Sequence, residues 1–491
     1  MKTSKVVLVF LLSAIILFTG NVYADVTLPK IFSSNMVLQK GIDIPIWGWA
    51  DKRERVTVVF NDKVVKTRAD KEGKWIVKLP PSEYGGPHKL VVKGKNIIEL
   101  NNVMIGEVWV CSGQSNMQWR VEQSNNAKEE IVAADLPGIR LFSVPRKVAQ
   151  FPQEDITDGE WLECSPETVP GFSAVAFFFG RELHRDLNVP VGLIHTSWGG
   201  TVAETWASAE TIKEDPDFRD KLAELQQMDL DNSDKPNPEK INEILKPNSY
   251  PTLLFNAMLN PIIPYGIKGA IWYQGESNAS RAKQYQRIFP NMIKDWRMHW
   301  QQGEFPFLFV SLANYRQPVT EPSESEWAEL REAQTKTLEL TNTGMAMAID
   351  IGEANDIHPK NKQDVGKRLA LNALKIGYGK DIVHSGPLFS SVEFKNGKAY
   401  ITFRETGTGL TVKDKYGYLK GFTIAGSDKK FHWAKSDIVD DKTIVVYSEK
   451  VKHPMSVRYG WADNPDDVNL YNKEGLPANP FRTDNWPGIT K

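Results

Sequence analysis

The stretch EVWVCSGQSNMQW, residues 107–119, decides how this chain is read. Val108, Trp109, Val110 and Cys111 favour a buried strand. Ser112 and Gly113 then make a small-residue turn, and Gln114-Ser115-Asn116-Met117 opens a helical run. A strand that turns sharply into a helix lifts a hydroxyl to the end of a sheet. The helix start aims unpaired N–H groups at any anion that forms beside it. Ser115 therefore suits a nucleophile. The same position suits an ordinary capping serine, so the choice rests on the rest of the chain.

Outward from this stretch, residues 106–384 alternate between strand and helix patterns. Val191–His195, Gly269–Tyr273, Pro306–Val310 and Met345–Ile349 read as strands. Ala174–Leu187, Tyr285–Trp300 and Asp364–Ile376 read as helices, the last stopped by Gly377. Alternation of this kind predicts an α/β fold, a mostly parallel sheet with helices on both faces. Residues 210–251 are polar and Pro-interrupted and read as an insertion.

The flanks differ. Residues 25–105 hold short β-rich runs at Val56–Phe60, Trp75–Leu79 and Lys89–Lys93, separated by turn-forming residues, and predict a small β-sandwich. Residues 385–491 return to β patterns at Ala399–Phe403, Thr443–Tyr447 and Ser456–Tyr459. There is no internal repeat.

The chain has 491 residues, 41% hydrophobic and 25% charged, ordinary for a globular protein of several domains. Lys2 and Lys5, the apolar run Val6–Thr19 and Val22-Tyr23-Ala24 read as a signal peptide over residues 1–24. A secreted or periplasmic location follows as an expectation, with no membrane insertion after cleavage. Loss of the two lysines takes the formal net charge from −1 to −3. Such a balance argues against nucleic acid as a partner. The two cysteines, Cys111 and Cys164, do not make a disulfide scaffold; they pair or stay as buried free thiols.

Ligands of open α/β sheets bind beyond the carboxyl ends of the strands. Four unusual blocks follow predicted strands: Ser115, Gly199-Gly200-Thr201, Gln274-Gly275-Glu276-Ser277-Asn278, and Asp356-Ile357-His358-Pro359. Each alone has an unremarkable explanation, as a turn, a cap or a surface histidine. Together they resemble the SGNH branch of the GDSL-type hydrolases. Within it, GQSNM and WYQGESN resemble the sialate O-acetylesterase and carbohydrate-acetylesterase group. FSSNMVLQ (32–39) and RYGWADNPDDVNLYNKEGLPANPFRTDNW (458–486) carry the resemblance into both flanks.

The resemblance implies a flavodoxin-like three-layer catalytic domain and a serine esterase that releases acetate from O-acetylated sugars, sialic acid first among them. Acetylated xylan is the alternative substrate, and a non-catalytic carbohydrate-binding protein the alternative class. It implies Ser115 as nucleophile and His358 as base, an imidazole being suited to taking and returning a proton near neutral pH. The oxyanion donors map onto the Ser115 N–H, Gly199 or Gly200, and the side-chain amide of Gln274 or Asn278. Where the superfamily usually places Asp, three residues before the histidine, this chain has Asn355. Asp356, two residues before His358, faces the same side of an extended segment and is the expected orienting acid. Glu276 is the rival acid, followed by Asp350 and Glu353. Gln114, Trp198 and Glu276 are the expected substrate contacts. Trp119, Trp206 and Tyr273 are either stacking faces or core. No cofactor or metal is expected, and an acetylated carbohydrate is the expected partner.

Overall fold

A computed structural model describes residues 25–228, 245–414 and 417–490. The expected signal peptide, and residues 229–244 of the expected insertion, lie outside the described residues. Among the described residues no helix is long and apolar enough to cross a membrane.

The centre is a sheet with strand order Thr343–Ala346, Phe307–Val310, Gly269–Tyr273, Ile97–Gly113, Val191–Ser197, Leu136–Ser143, Leu162–Cys164. All pairings are parallel except the last. Successive side chains of a strand face opposite ways, and the central strand uses both. Val108 and Val110 join the core that holds Tyr285, Phe289 and Trp296 of the Ala282–Trp300 helix. Trp109 and Cys111 join the core that holds Phe178, Phe179 and Leu183 of the Ala174–Leu187 helix. A strand buried on both faces reads as a continuous apolar run for this reason.

The Ala174–Leu187 helix starts at Ser173, whose hydroxyl accepts the Ala176 N–H, and ends at Asn188 in a left-handed conformation. It packs on the Lys362–Asn372 helix, which carries the chain away from the 356–358 block. The approach is close because position 366 is glycine. A Cβ there would lie 2.6 Å from Phe178 Cβ and 2.7 Å from Phe179 N. Gly366→Ala is therefore expected to destabilise the fold by about 1–3 kcal/mol through overpacking, read as a lowered denaturant midpoint at unchanged slope.

The Ile97–Gly113 strand does more than expected. Its first half pairs antiparallel with Gly85–Lys93 and parallel with Val37–Gln39; its second half is the middle of the parallel sheet. The division expected at 105/106 falls inside this one strand. The pattern changes there because the strand passes from a half-exposed edge to a fully buried centre.

Among the described residues the C-terminal β region is two four-stranded antiparallel sheets and a strand pair. Tyr471 of this region donates its hydroxyl hydrogen bond to Asp350 at 3.0 Å, and Arg368 grips the same carboxylate at 2.6 and 2.8 Å. Cys111 and Cys164 are both buried free thiols.

Candidate active site

The strand register brings the sequence blocks together. Gly113 pairs with Ser197 on one side and Tyr273 on the other, so Ser115, Gly199 and Gln274 all begin just past one sheet edge. This edge lies at the point where the chain order reverses about the central strand, the usual place for a ligand crevice. Gly113 has φ +139°, and a Cβ there would meet the Tyr273 carbonyl at 2.2 Å. Only glycine lets the chain turn so tightly into the Ser115–Gln118 helix. As the first helical residue, Ser115 keeps an N–H with no intrahelical acceptor.

His358 arrives from the other side of the crevice. Its Nε2 lies 2.9 Å from Ser115 Oγ, a hydrogen bond between residues 243 apart in sequence. Its Nδ1 lies 3.4 Å from Asp356 Oδ1, which also accepts the His358 backbone N–H at 2.9 Å. Trp119 stacks on the imidazole, ring centres 5.3 Å apart and planes 17° apart. Gly199 sits against the serine: a Cβ on it would be 3.3 Å from Ser115 Cβ. Its N–H donates to Gln118 Oε1 at 2.8 Å. Hydroxyl, imidazole, carboxylate and nearby N–H donors make an arrangement capable of acyl transfer.

The family profile described as carbohydrate esterase, sialic acid-specific acetylesterase, matches residues 238–375. The sialate O-acetylesterase of Mus musculus is 31% identical, over 91% of this chain and 92% of its own length. That of Homo sapiens is 30% identical, over 93% of this chain and 92% of its own. The chain belongs to the sialate O-acetylesterase family. Its fold agrees with a solved carbohydrate acetylesterase from Xanthomonas citri at TM-score 0.84 and 39% identity, covering 94% of this chain and all of that one. Family membership makes this chain a carboxylic ester hydrolase with an SGNH-type α/β fold and added β regions.

Within this family member, several expected site residues turn out to be committed elsewhere. Gln274 donates both amide hydrogens away, to the Thr201 carbonyl at 3.1 Å and to Asn278 Oδ1 at 2.6 Å. Asn278 donates to Glu204 Oε2 at 3.0 Å and accepts the Ala203 N–H. Both are fully buried and tie the 199–206 loop to the 274–278 block. Both hydrogens of the Gln274 amide, and one of the two on Asn278, are thus engaged within these two segments. The glycine at position 200 has φ +76° and serves the turn, its carbonyl held by Asn248.

Gln114 is buried, with its side-chain oxygen facing the Ser277 N–H. Trp206 and Tyr273 are core residues. Trp198 is half-buried, with the Arg146 guanidinium 5.9 Å from its ring centre. Glu276 does not reach the histidine: one oxygen accepts from Asn116 Nδ2 at 2.6 Å, and the other is buried without a hydrogen-bond partner. Asp350 is held by Arg368 and Tyr471. Asn355 accepts from Gln317, and the side chain of Glu353 meets the Lys360 N–H.

Two residues at the site escape a reading of the sequence. Asn116 and Lys362 are joined at 2.5 Å behind the Ser115–His358 pair. A signal existed for Lys362, since a cation in the first turn opposes the helix dipole and calls for a specific partner. Lys362 is fully buried, and burial lowers its pKa to about 7 against the pull of Glu276, Asp356 and Glu353. His358 is also held below the ordinary histidine value, first by burial and then by the Lys362 charge, with Asp356 acting in the opposite direction.

Proposed function

We propose that this chain is a serine esterase that releases acetate from O-acetylated sugars, with O-acetylated sialic acid its principal substrate. The contact between Ser115 Oγ and His358 Nε2, at the switch point of the sheet, carries this reading. Membership of the family supports it.

A serine hydroxyl attacks poorly at neutral pH unless a base takes its proton. In the proposed path Ser115 Oγ attacks the acetyl carbonyl and His358 Nε2 takes the proton. The oxyanion meets the free Ser115 N–H and the N–H of Gly199, which must leave Gln118. Each such donor is worth about 3–4 kcal/mol in the transition state. The sugar alkoxide leaves with the proton from His358. Water, deprotonated by the same imidazole, then attacks the acetyl-enzyme; His358 returns that proton to Ser115 Oγ as the acyl bond breaks, and acetic acid departs and ionises to acetate. Asp356 orients the imidazole and supports its charged form; no metal has a part in this path. Trp198, half-buried near Gly199, offers the sugar an apolar face.

Asp356→Asn is expected to lower kcat by about 10²–10³-fold, less than the roughly 10⁴-fold of a tightly bonded triad carboxylate, because the 3.4 Å contact is long. The asparagine oxygen still accepts the His358 backbone N–H, so the loop survives. Retention of more than a third of wild-type kcat, in steady-state acetate release, would remove Asp356 from the mechanism.

The pH profile follows from the histidine. Protonation of His358 abolishes the base, so kcat/KM falls as pH drops through its pKa. Because that pKa is held below the ordinary histidine value, the acid limb is expected to be centred below pH 6.5. A limb centred above pH 7 would contradict this.

Residues 1–24 are proposed to direct export, on the strength of Lys2, Lys5 and the apolar run after them. Residues 25–105, 106–384 and 385–491 are proposed as the three divisions of the mature chain, the first two sharing a strand. The substrate is tested with a panel of O-acetylated sialosides and acetylated xylo-oligosaccharides. Faster acetate release from the sialosides supports the proposal. Release from the xylo-oligosaccharides alone would replace sialic acid by hemicellulose and keep the chemistry.

A further inference from the structure

Asn116 follows the proposed nucleophile directly and is buried. Its side chain is bonded at both ends. The oxygen accepts from Lys362 Nζ at 2.5 Å. The nitrogen donates to Glu276 Oε1 at 2.6 Å and to the Ile357 carbonyl at 3.1 Å. Ile357 immediately precedes His358. One amide thus joins the segment that carries the hydroxyl to the segment that carries the imidazole.

The flanking charges leave this amide one orientation. Below about pH 7, where Lys362 is an ammonium that can only donate, an amide rotated by half a turn would point its NH2 at that cation and its oxygen at a carboxylate that accepts. Both charge-assisted hydrogen bonds, the strong kind, would be lost. Lys362 and Glu276 sit on different elements, a helix start and the block after the Gly269–Tyr273 strand. The strut therefore has three footings besides its own.

We propose that Asn116 is a positioning residue: its amide, oriented by Lys362 and Glu276, ties the Ser115 turn to the His358 loop and fixes the spacing of hydroxyl and imidazole. The inference rests on the proposed roles of Ser115 and His358. It assigns Glu276 to holding Asn116, not to being the acid behind the histidine.

Lys362 adds an electrostatic effect. The groups facing it are Glu276, Asp356 and Glu353, with the rings of Trp119 and Tyr273 at 5.7 and 5.4 Å from Nζ. His358 is faced by Lys362, Asp356, the Ser115 hydroxyl and the Trp119 ring. The buried cation disfavours an imidazolium beside it. Its removal should raise the pKa of His358.

The test uses full-length protein and four variants, with an aryl acetate as substrate and NMR titration of the histidine as a readout independent of activity. Asn116→Leu is expected to lower kcat by about 10²-fold, the cost of misplacing reacting groups by an ångström, with KM changed less than threefold. Glu276→Gln keeps an oxygen for Asn116 and should retain at least tenfold more kcat than Glu276→Leu. Lys362→Met should move the His358 titration, and the acid limb with it, to higher pH.

A kcat for folded Asn116→Leu within twofold of wild type would overturn the strut. So would Glu276→Gln as poor as Glu276→Leu, the result expected of a catalytic carboxylate. An unmoved histidine titration in Lys362→Met would remove the electrostatic part. If Asn116→Leu fails to fold, as judged by its melting curve, the Glu276 pair and Lys362→Met decide. An inactive wild type would defeat the proposed function, and the histidine titration would still report on Lys362.

Discussion

Ser115→Ala is expected to cut kcat for acetate release by on the order of 10⁶-fold, the usual loss when a serine nucleophile is removed. What remains is the contribution of binding and oxyanion donors, on the order of 10³–10⁴ over water. The fold should hardly notice. The substitution removes one hydroxyl, half-buried, whose hydrogen-bond partner is His358. A single such bond contributes about 0.5–1.5 kcal/mol, and a crevice that admits water offsets part of it. A melting midpoint within a few degrees of wild type, together with the activity loss, is therefore the expected pair of results. A variant that kept even 1% of wild-type kcat would point to a different nucleophile.

His358→Ala carries the second large effect, and its pattern is more informative than its size. The base and nucleophile act as one unit, so the single loss should approach that of Ser115→Ala. The double variant should be no worse than either single variant. If the two residues worked independently, the logarithms of their losses would add. Removing the imidazole also removes the group whose protonation shapes the acid limb, so the residual activity should lose that limb. The Trp119 face now stacked on the ring would be uncovered. Steady-state kinetics of the two single variants and the double variant, across pH 4–8, test all three expectations.

The architecture was legible where local chemistry and burial agree. The run from Val108 to Cys111 is apolar at every position because odd and even residues meet different helix layers. The expected bounds of the Ala174–Leu187 helix and the Gly269–Tyr273 strand agree with the structure, since Ser173, Asn188 and the flanking loops act locally. The Leu136–Ser143 strand carries no such announcement. Pro137 and Gly138 interrupt it, and its pairing with Val191–Ser197 supplies what its own sequence lacks.

The site was legible as a set of blocks but not as a set of contacts. Strand ends gave Ser115, Gly199, Gln274 and the 356–358 segment, because sheet register places them together. Which way an amide points is another matter. Gln274 and Asn278 carry the right group for an oxyanion donor, yet besides bonding each other they donate to the 201–204 loop, more than 70 residues away. Asn116 and Lys362 are 246 residues apart, and their bond depends on how two loops meet. No spacing in the chain encodes that.

The central claim, that Ser115 is an activated nucleophile, is tested most directly by a fluorophosphonate ester, which phosphonylates such serines. Wild-type protein and Ser115→Ala are treated with the reagent, digested, and the modified peptide is located by mass spectrometry. The expected result is a single adduct on Ser115 in the wild type and none in the variant, with labelling fading below pH 6.5 as His358 is protonated. No adduct on active, folded wild-type protein, or an adduct on another serine that survives in Ser115→Ala, would contradict the account.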